Sequence, residues 1–282
     1  MLRVHQWLKN LLIFLPLLAA HQWNSAPALT ASVLAFVAFS LVASANYLIN
    51  DLLDLQADRH HPRKRFRPMA SGRVSIVTAL VTAALLIIAG FWLAYFVTPA
   101  FFLVLIGYYI ATLSYSLWLK RRLMVDVLLL ALLYTLRIIA GGVAASIMLS
   151  NWLVFFSLFL FFSLALVKRY SELVNSQSGP DESRRRAYQD QDLPILAGFG
   201  ITSSLAATLV MALYVQSADV IALYQHPEFL WALCPVLLYW TSRIWIIANR
   251  GKMHDDPLVY AVRDPKSLLT IGFAFVVILA AL

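Results

Sequence analysis

The chain has 282 residues, 61% hydrophobic and 13% charged, with 22 Lys and Arg against 14 Asp and Glu. Soluble domains carry about a quarter charged residues and somewhat under half apolar ones, so this composition excludes a water-soluble globular enzyme, a disordered chain and a small disulfide scaffold. The net charge of +8 would suggest nucleic acid in a soluble protein; here the placement of the charges points to a membrane instead, and no nucleic-acid partner is expected.

Nine apolar segments follow in chain order: Leu8–His21, Ala28–Ile49, Ser75–Val97, Ala100–Leu119, Met124–Ile147, Trp152–Val167, Leu193–Gln216, Phe229–Ala248 and Leu268–Leu282. A spanning helix needs about 20 predominantly apolar residues, so most are long enough alone and flanking residues complete the others. In lipid the backbone must satisfy its own polar groups, which makes these segments helices. The first has the look of a signal peptide, with Arg3, Lys9, an apolar stretch and Ala19-Ala20, but eight further spans need no cleavable signal. Cys234 lies in an apolar run and packs there, having no second cysteine to pair with.

The connections alternate in charge. His21–Pro27, Thr98–Pro99, Ser150–Asn151 and Ser217–Glu228 hold no Lys or Arg, whereas the N-terminal tail and the loops near 50–74, 119–123, 168–192 and 249–267 hold nearly all of them. The positive-inside rule makes the N-terminus and those four loops cytoplasmic and puts the C-terminus across the membrane. Every acidic residue except Asp219 and Glu228 falls on the same side. Positive-inside bias does not explain carboxylates, so that face is expected to build a polar site.

Asn50-Asp51-Leu52-Leu53-Asp54-Leu55-Gln56-Ala57-Asp58 is the most informative stretch. Asp51, Asp54 and Asp58 stand at i, i+3 and i+7, which puts three carboxylates on one helix face. Crowded carboxylates repel unless a cation sits among them, and oxygen-only donors suit Mg²⁺. A charged helix end at the interface is the bland alternative for a lone DxxD. Beyond the acids comes His60-His61-Pro62-Arg63-Lys64-Arg65-Phe66-Arg67-Pro68, four cations in a turning loop. Metal-binding carboxylates followed at once by an anion-binding run point to a phosphate-rich substrate.

These residues resemble the UbiA superfamily of intramembrane prenyltransferases, in the NDxxDxxxD motif (Asn50, Asp51, Asp54, Asp58) and the following Arg67-Pro68. The resemblance implies an all-α polytopic fold of nine transmembrane helices around a central cavity, as one integral membrane transferase domain over residues 1–282. It also implies a bacterial inner-membrane location and Mg²⁺ on the first acidic motif, holding the diphosphate of the donor.

The superfamily's second acidic motif, after the sixth span, reads Lys168-Arg169-Tyr170-Ser171-Glu172 here, with cations in place of most acids. With Gln6-Trp7-Leu8-Lys9-Asn10, Asp126, Arg137, His254-Asp255-Asp256-Pro257 and Arg263-Asp264, that substitution is similar to one branch, the decaprenyl-phosphate phosphoribosyltransferases. The branch implies transfer of 5-phosphoribosyl from phosphoribosyl diphosphate to a polyprenyl phosphate, with release of diphosphate. On that basis Asp51, Asp54 and Asp58 hold the metal and carry the catalysis, Asn50 belongs to the donor site, and Lys64, Arg65 and Arg67 meet the leaving group. Lys168 and Arg169 meet the ribose 5-phosphate, with Glu172 near the ribose hydroxyls or the metal. Lys9 and Asn10, expected at the membrane surface, meet the lipid phosphate. Arg137, a mid-helix cation that must face a partner or a polar cavity, is expected deep in the site, whereas Arg243 near its helix end reads as structural. The alternative keeps the fold and transfers a prenyl group from a prenyl diphosphate to an aromatic acceptor. A non-enzyme such as a transporter is disfavoured, because the polar residues gather at one face and no repeated halves are evident. A homo-oligomer is left open, since lipid-facing and subunit-facing apolar surface look alike in sequence.

Overall fold

The computed structural model describes residues 3–60, 64–176, 188–253 and 256–282. His61, Pro62 and Arg63 of the basic run, residues 177–187, and His254 and Asp255 lie outside the described residues. The described chain is all-helical. After a 3-10 helix over Val4–Phe14 come α1 (Leu15–Ala19), α2 (Ala26–Leu53), α3 (Leu55–His60), α4 (Ile76–Val97), α5 (Pro99–Leu117) and α6 (Val125–Ala144). They are followed by α7 (Asn151–Ser176), α8 (Leu193–Val215), α9 (Ala218–Leu223), α10 (Leu233–Asn249), α11 (Pro257–Arg263) and α12 (Pro265–Ala281).

Helix starts follow local chemistry. The side chains of Ser75 and Thr98 accept from the backbone N–H of Thr78 and Phe101, both at 3.0 Å, and begin α4 and α5. Asp264 accepts from Ser267 N–H at 2.7 Å and begins α12. Pro27, Pro99, Pro257 and Pro265 occupy first-turn positions, where a missing N–H costs nothing.

Seven helices among the described residues are long and apolar enough to cross a membrane, and eight if α11 and α12, bent by 84°, count as one span. The chain is therefore an integral membrane protein. Of the nine expected segments, the first differs most: its apolar helix, Val4–Ala19, is short in residues. It is mostly 3-10, and at about 2.0 Å per residue for that part and about 1.5 Å for the rest it still reaches about 30 Å, the hydrocarbon thickness. The last expected segment is the second limb of the bent pair.

The helices gather into two compact units, Met1–Lys120 with Leu136–Leu149, and Arg121–Thr135 with Ser150–Leu282. In the first, α2 packs on α4 through small buried residues, Ala45 against Ala79 and Ala83, with Leu48 and Met69 closing the cluster. The 3-10 helix lies along α2, where Trp7 Nε1 donates to Ser44 Oγ and Asn10 Nδ2 to Ser40 Oγ, both at 2.9 Å. Three residues of 3-10 helix and four of α-helix both rise about 6 Å, so these pairs stay in step. Further along, the Ile13 carbonyl comes so close to Gly141 that a Cβ there would sit 2.0 Å from its oxygen.

In the second unit α7 packs on α8. Ser163 and Ser204 share a 2.7 Å hydrogen bond, and Trp245 of α10 donates to Ser163 at 3.1 Å. Its ring lies over Gly200, where a Cβ would sit 1.9 Å from it. Arg243 forks onto Asp264, Nη1 to Oδ2 at 2.6 Å and Nη2 to Oδ1 at 2.9 Å, at the bend before α12. Large side chains such as Leu85, Ile88, Trp92 and Leu269 point outward, as expected of a surface solvated by lipid.

Candidate active site

In the first unit the acidic motif straddles the end of α2. Asp54 is the capping residue, with φ −93° and ψ 5°. The hydrogen bonds Asp54 N–H to Asn50 C=O (3.0 Å) and Asp58 N–H to Asp54 C=O (2.8 Å) carry the helical i→i−4 spacing through the break into α3. The three carboxylates thus keep helical register, yet they answer to different cations. Asp51 and Asp58, both buried, converge on Arg67, whose Nη1 donates at 3.3 Å to Asp51 and 2.6 Å to Asp58. Arg3 also pairs with Asp51 and lies 5.4 Å over the Tyr47 ring. Asp54 turns instead to Lys120, which donates at 2.9 and 3.2 Å, and to Asn50, which donates at 3.2 Å.

Arg67 is aimed by its loop. Lys64–Phe66 form one 3-10 turn, Arg67 N–H bonds to Lys64 C=O at 2.9 Å, and Val74 N–H bonds to Pro68 C=O at 3.1 Å. Gly72, at φ +76°, supplies the left-handed residue this turn requires. Met69 plugs the loop into the core beneath. Of the other basic residues, Arg65 is exposed and stacks 4.9 Å over Phe66, and Lys64 and Lys9 are half-buried.

Deeper in the same unit stands Arg137. Its Nε donates to Asn10 Oδ1 at 3.0 Å and its Nη2 to the Tyr108 hydroxyl at 3.1 Å, while the guanidinium lies over the rings of Phe39 and Tyr108 at 5.4 and 5.1 Å. Asn10 is buried, with its amide nitrogen given to Ser40 and its oxygen to Arg137. The membrane-surface position expected for Asn10 is thus not where the fold puts it: the 3-10 winding turns this side chain inward onto α2.

The second unit holds the remaining candidates. Lys168, 31% exposed, donates to Asp256 at 3.3 Å. Arg169 is only 1% exposed and sits between two carboxylates: Nε donates to Asp126 Oδ2 at 2.6 Å, and Nη1 pairs with Glu172 one turn on. Tyr188 donates to the other Asp126 oxygen at 2.6 Å and accepts from Met124 N–H at 3.0 Å. Burial, and after it Asp126, push the Tyr188 phenol well above its ordinary range, so it stays a protonated donor.

The sequence reading did not single out Arg3, Lys120, Tyr108 or Tyr188. The two cations were legible only as positive-inside charge, and the tyrosines only as interfacial aromatics. Among the described residues no three His, Cys, Asp or Glu side chains stand close enough together to hold a metal. The donor chemistry still suits a hard divalent cation. Asp51 and Asp58 offer oxygen alone and already share one positive nitrogen, and Mg²⁺ takes about one or two carboxylates, with water and phosphate completing its shell.

The sequence matches the model of the UbiA prenyltransferase family over residues 11–263. The chain belongs to that family. Its backbone superimposes on a UbiA homolog from Archaeoglobus fulgidus bound to DMAPP and Mg²⁺, with a TM-score of 0.73 at 19% identity, covering 99% of this chain and 97% of that one. It also superimposes on a UbiA homolog from Aeropyrum pernix, with a TM-score of 0.69 at 16% identity, covering 99% of this chain and 100% of that one. These likenesses establish the UbiA fold. Among relatives in sequence, the uncharacterized protein y4nM of Sinorhizobium fredii is 38% identical over 94% of this chain and 52% of its own length. The nodulation protein NoeC of Azorhizobium caulinodans is 37% identical over 95% of this chain and 88% of its own. The decaprenyl-phosphate phosphoribosyltransferase of Mycobacterium tuberculosis is 41% identical over 61% of this chain and 58% of that enzyme. The chain thus spans about half the length of the first of these relatives and somewhat more than half of the mycobacterial enzyme.

Proposed function

We propose that this UbiA transferase moves a 5-phosphoribosyl group from phosphoribosyl diphosphate to a polyprenyl phosphate and releases diphosphate. The observation that carries the reading is the chemistry at the head of Lys168–Glu172, where Lys168 stands partly exposed beside Arg169, itself closed in by Asp126 and Glu172. A prenyl donor carries one diphosphate. A phosphoribosyl donor carries a separate 5-phosphate as well, which gives a cation in that position something to bind. The likeness to the mycobacterial decaprenyl-phosphate enzyme supports the same choice.

The bond from C1 to the diphosphate oxygen breaks, the electron pair leaves with diphosphate, and an oxygen of the lipid phosphate bonds to C1. Asp51 and Asp58, with Asp54, are the proposed holders of Mg²⁺, which supplies charge neutralisation for the leaving diphosphate. Lys120 and Asn50 orient Asp54. Arg67, with Lys64 and Arg65 in its loop, meets developing negative charge on the diphosphate. Lys168 is the proposed 5-phosphate contact, while Arg169, closed in by Asp126 and Glu172, supports Glu172 beside the ribose hydroxyls. Lys9 meets the lipid phosphate, Asn10 holds Arg137, and Arg137 supplies positive potential at depth. The acceptor is already an anion, so no strong general base is needed.

The test supplies purified protein with Mg²⁺, a polyprenyl phosphate and labelled phosphoribosyl diphosphate, and follows label into the lipid phase beside Asp54→Ala. Mg²⁺-dependent label at least about 100-fold above the variant is expected, the scale of losing a group that acts only in the transition state. No label, with turnover of a prenyl diphosphate onto an aromatic acceptor, would move the activity to the prenyl reading.

A further inference from the structure

The network behind Glu172 does more than bury an ion pair. Met124 N–H aims the Tyr188 hydroxyl, Tyr188 fixes one oxygen of Asp126, the other oxygen fixes Nε of Arg169, and Arg169 Nη1 reaches Glu172. Exposure rises only at the far end: Asp126 and Arg169 are 1% exposed at the side chain, and Glu172 is 33% exposed. A glutamate on a helix surface has three rotatable bonds and ordinarily spends its time among several rotamers. Here it is tethered, one turn from its anchor, to a guanidinium that cannot rotate without breaking its bond to Asp126. Carboxylates held this way meet a ligand without losing rotamer freedom at that moment.

We propose that Tyr188 and Asp126 are positioning residues, which act through Arg169 to hold Glu172 in the orientation that meets the ribosyl part of the donor. The inference rests on the phosphoribosyl reading for the identity of that donor. Neither Tyr188 nor Asp126 touches substrate; their effect reaches it through Arg169 and Glu172.

Tyr188→Phe keeps the ring and removes only the hydroxyl, so it tests the relay with the least disturbance. Kinetics are measured for Tyr188→Phe, Glu172→Gln and the double variant, varying phosphoribosyl diphosphate and polyprenyl phosphate separately. Loss of one hydrogen bond to a charged group corresponds to about a 10-fold change, so Tyr188→Phe is expected to raise the KM for the donor about 10-fold. The KM for the lipid acceptor stays within about two-fold. Residues that act through one network are not additive, so the double variant should fall within about two-fold of Glu172→Gln alone. Additive losses overturn the relay. Equal losses for both substrates together with a lowered melting temperature, or a Tyr188→Phe protein that fails to fold, show a structural role and overturn it too. Wild-type protein silent with phosphoribosyl diphosphate overturns the activity reading instead. The same three variants measured with a prenyl diphosphate then decide the relay, non-additivity upholding it and additivity sinking it.

Discussion

Gly141 and Gly107 look alike in the sequence, each a glycine inside an apolar helix, and the fold treats them oppositely. A methyl group at 141 would press on the Ile13 carbonyl, which is backbone and cannot swing aside, whereas nothing lies within 4 Å of a Cβ at 107. Gly141→Ala should cost about 3 kcal/mol, the upper end of overpacking, and Gly107→Ala should gain up to about 1 kcal/mol of helix propensity. Thermal unfolding of both variants in detergent checks the pair, and equal melting points would refute the close approach. Neither outcome was legible from composition, because the tight partner of Gly141 is distant in sequence. Arg137 was legible as a cation that must find company inside a membrane. That its company includes an asparagine and two aromatic rings was not, since neutral dipoles and ring faces leave no charge pattern to read.

At the scale of elements, the hydropathy pattern located the long helices well and misjudged the first and last. Pattern reading assumes 3.6 residues per turn, and Val4–Phe14 does not obey it. In a 3-10 helix residues three apart eclipse, so Trp7, Asn10 and Ile13 line one edge and meet Ser44, Ser40 and Gly141 in turn. Deleting Leu8, an outward residue of that segment, should rotate one partner by about 120° relative to the next. We expect the deletion to abolish a monodisperse peak in size-exclusion chromatography, and Leu8→Ala to keep it; survival of both would sink the register argument. The last segment, Leu268–Leu282, was read as a plain span; it lies in the second limb of a helix pair bent by 84°, and the bend at Asp264 falls just upstream of it. Asp264-Pro265 and the distant Arg243 carried that signal: a capping acid, a helix-starting proline and a cation that reaches the cap.

For the whole molecule, charge placement was the strongest signal, because the energy of moving Lys and Arg across a membrane acts on loops directly. Charge placement set the expected topology, whereas the membrane character and the all-helical class came from the apolar segments, and the UbiA resemblance from one nine-residue motif and the Arg67-Pro68 after it. Sidedness remains as an expectation of the same rule. With the lone Cys234 replaced by serine, a cysteine at Ser71 should react with an impermeant maleimide only from the cytoplasmic face, and one at Asn24 only from the other. The reverse pattern would invert the topology. The division of labour among the acids was beyond the sequence. Spacing put three carboxylates on one face, but which cation each answers to depends on Arg67, Lys120 and Arg3, brought in by separate segments.

That pairing bears on how the motif is kept together. Carboxylates gathered at one place repel each other, and that repulsion opposes the compact state unless opposite charge offsets it. Here each acid of the motif meets a cation from the same polypeptide. The charge of the motif is therefore offset within the polypeptide itself, by cations that arrive from the N-terminal tail, the following loop and the turn just after α5.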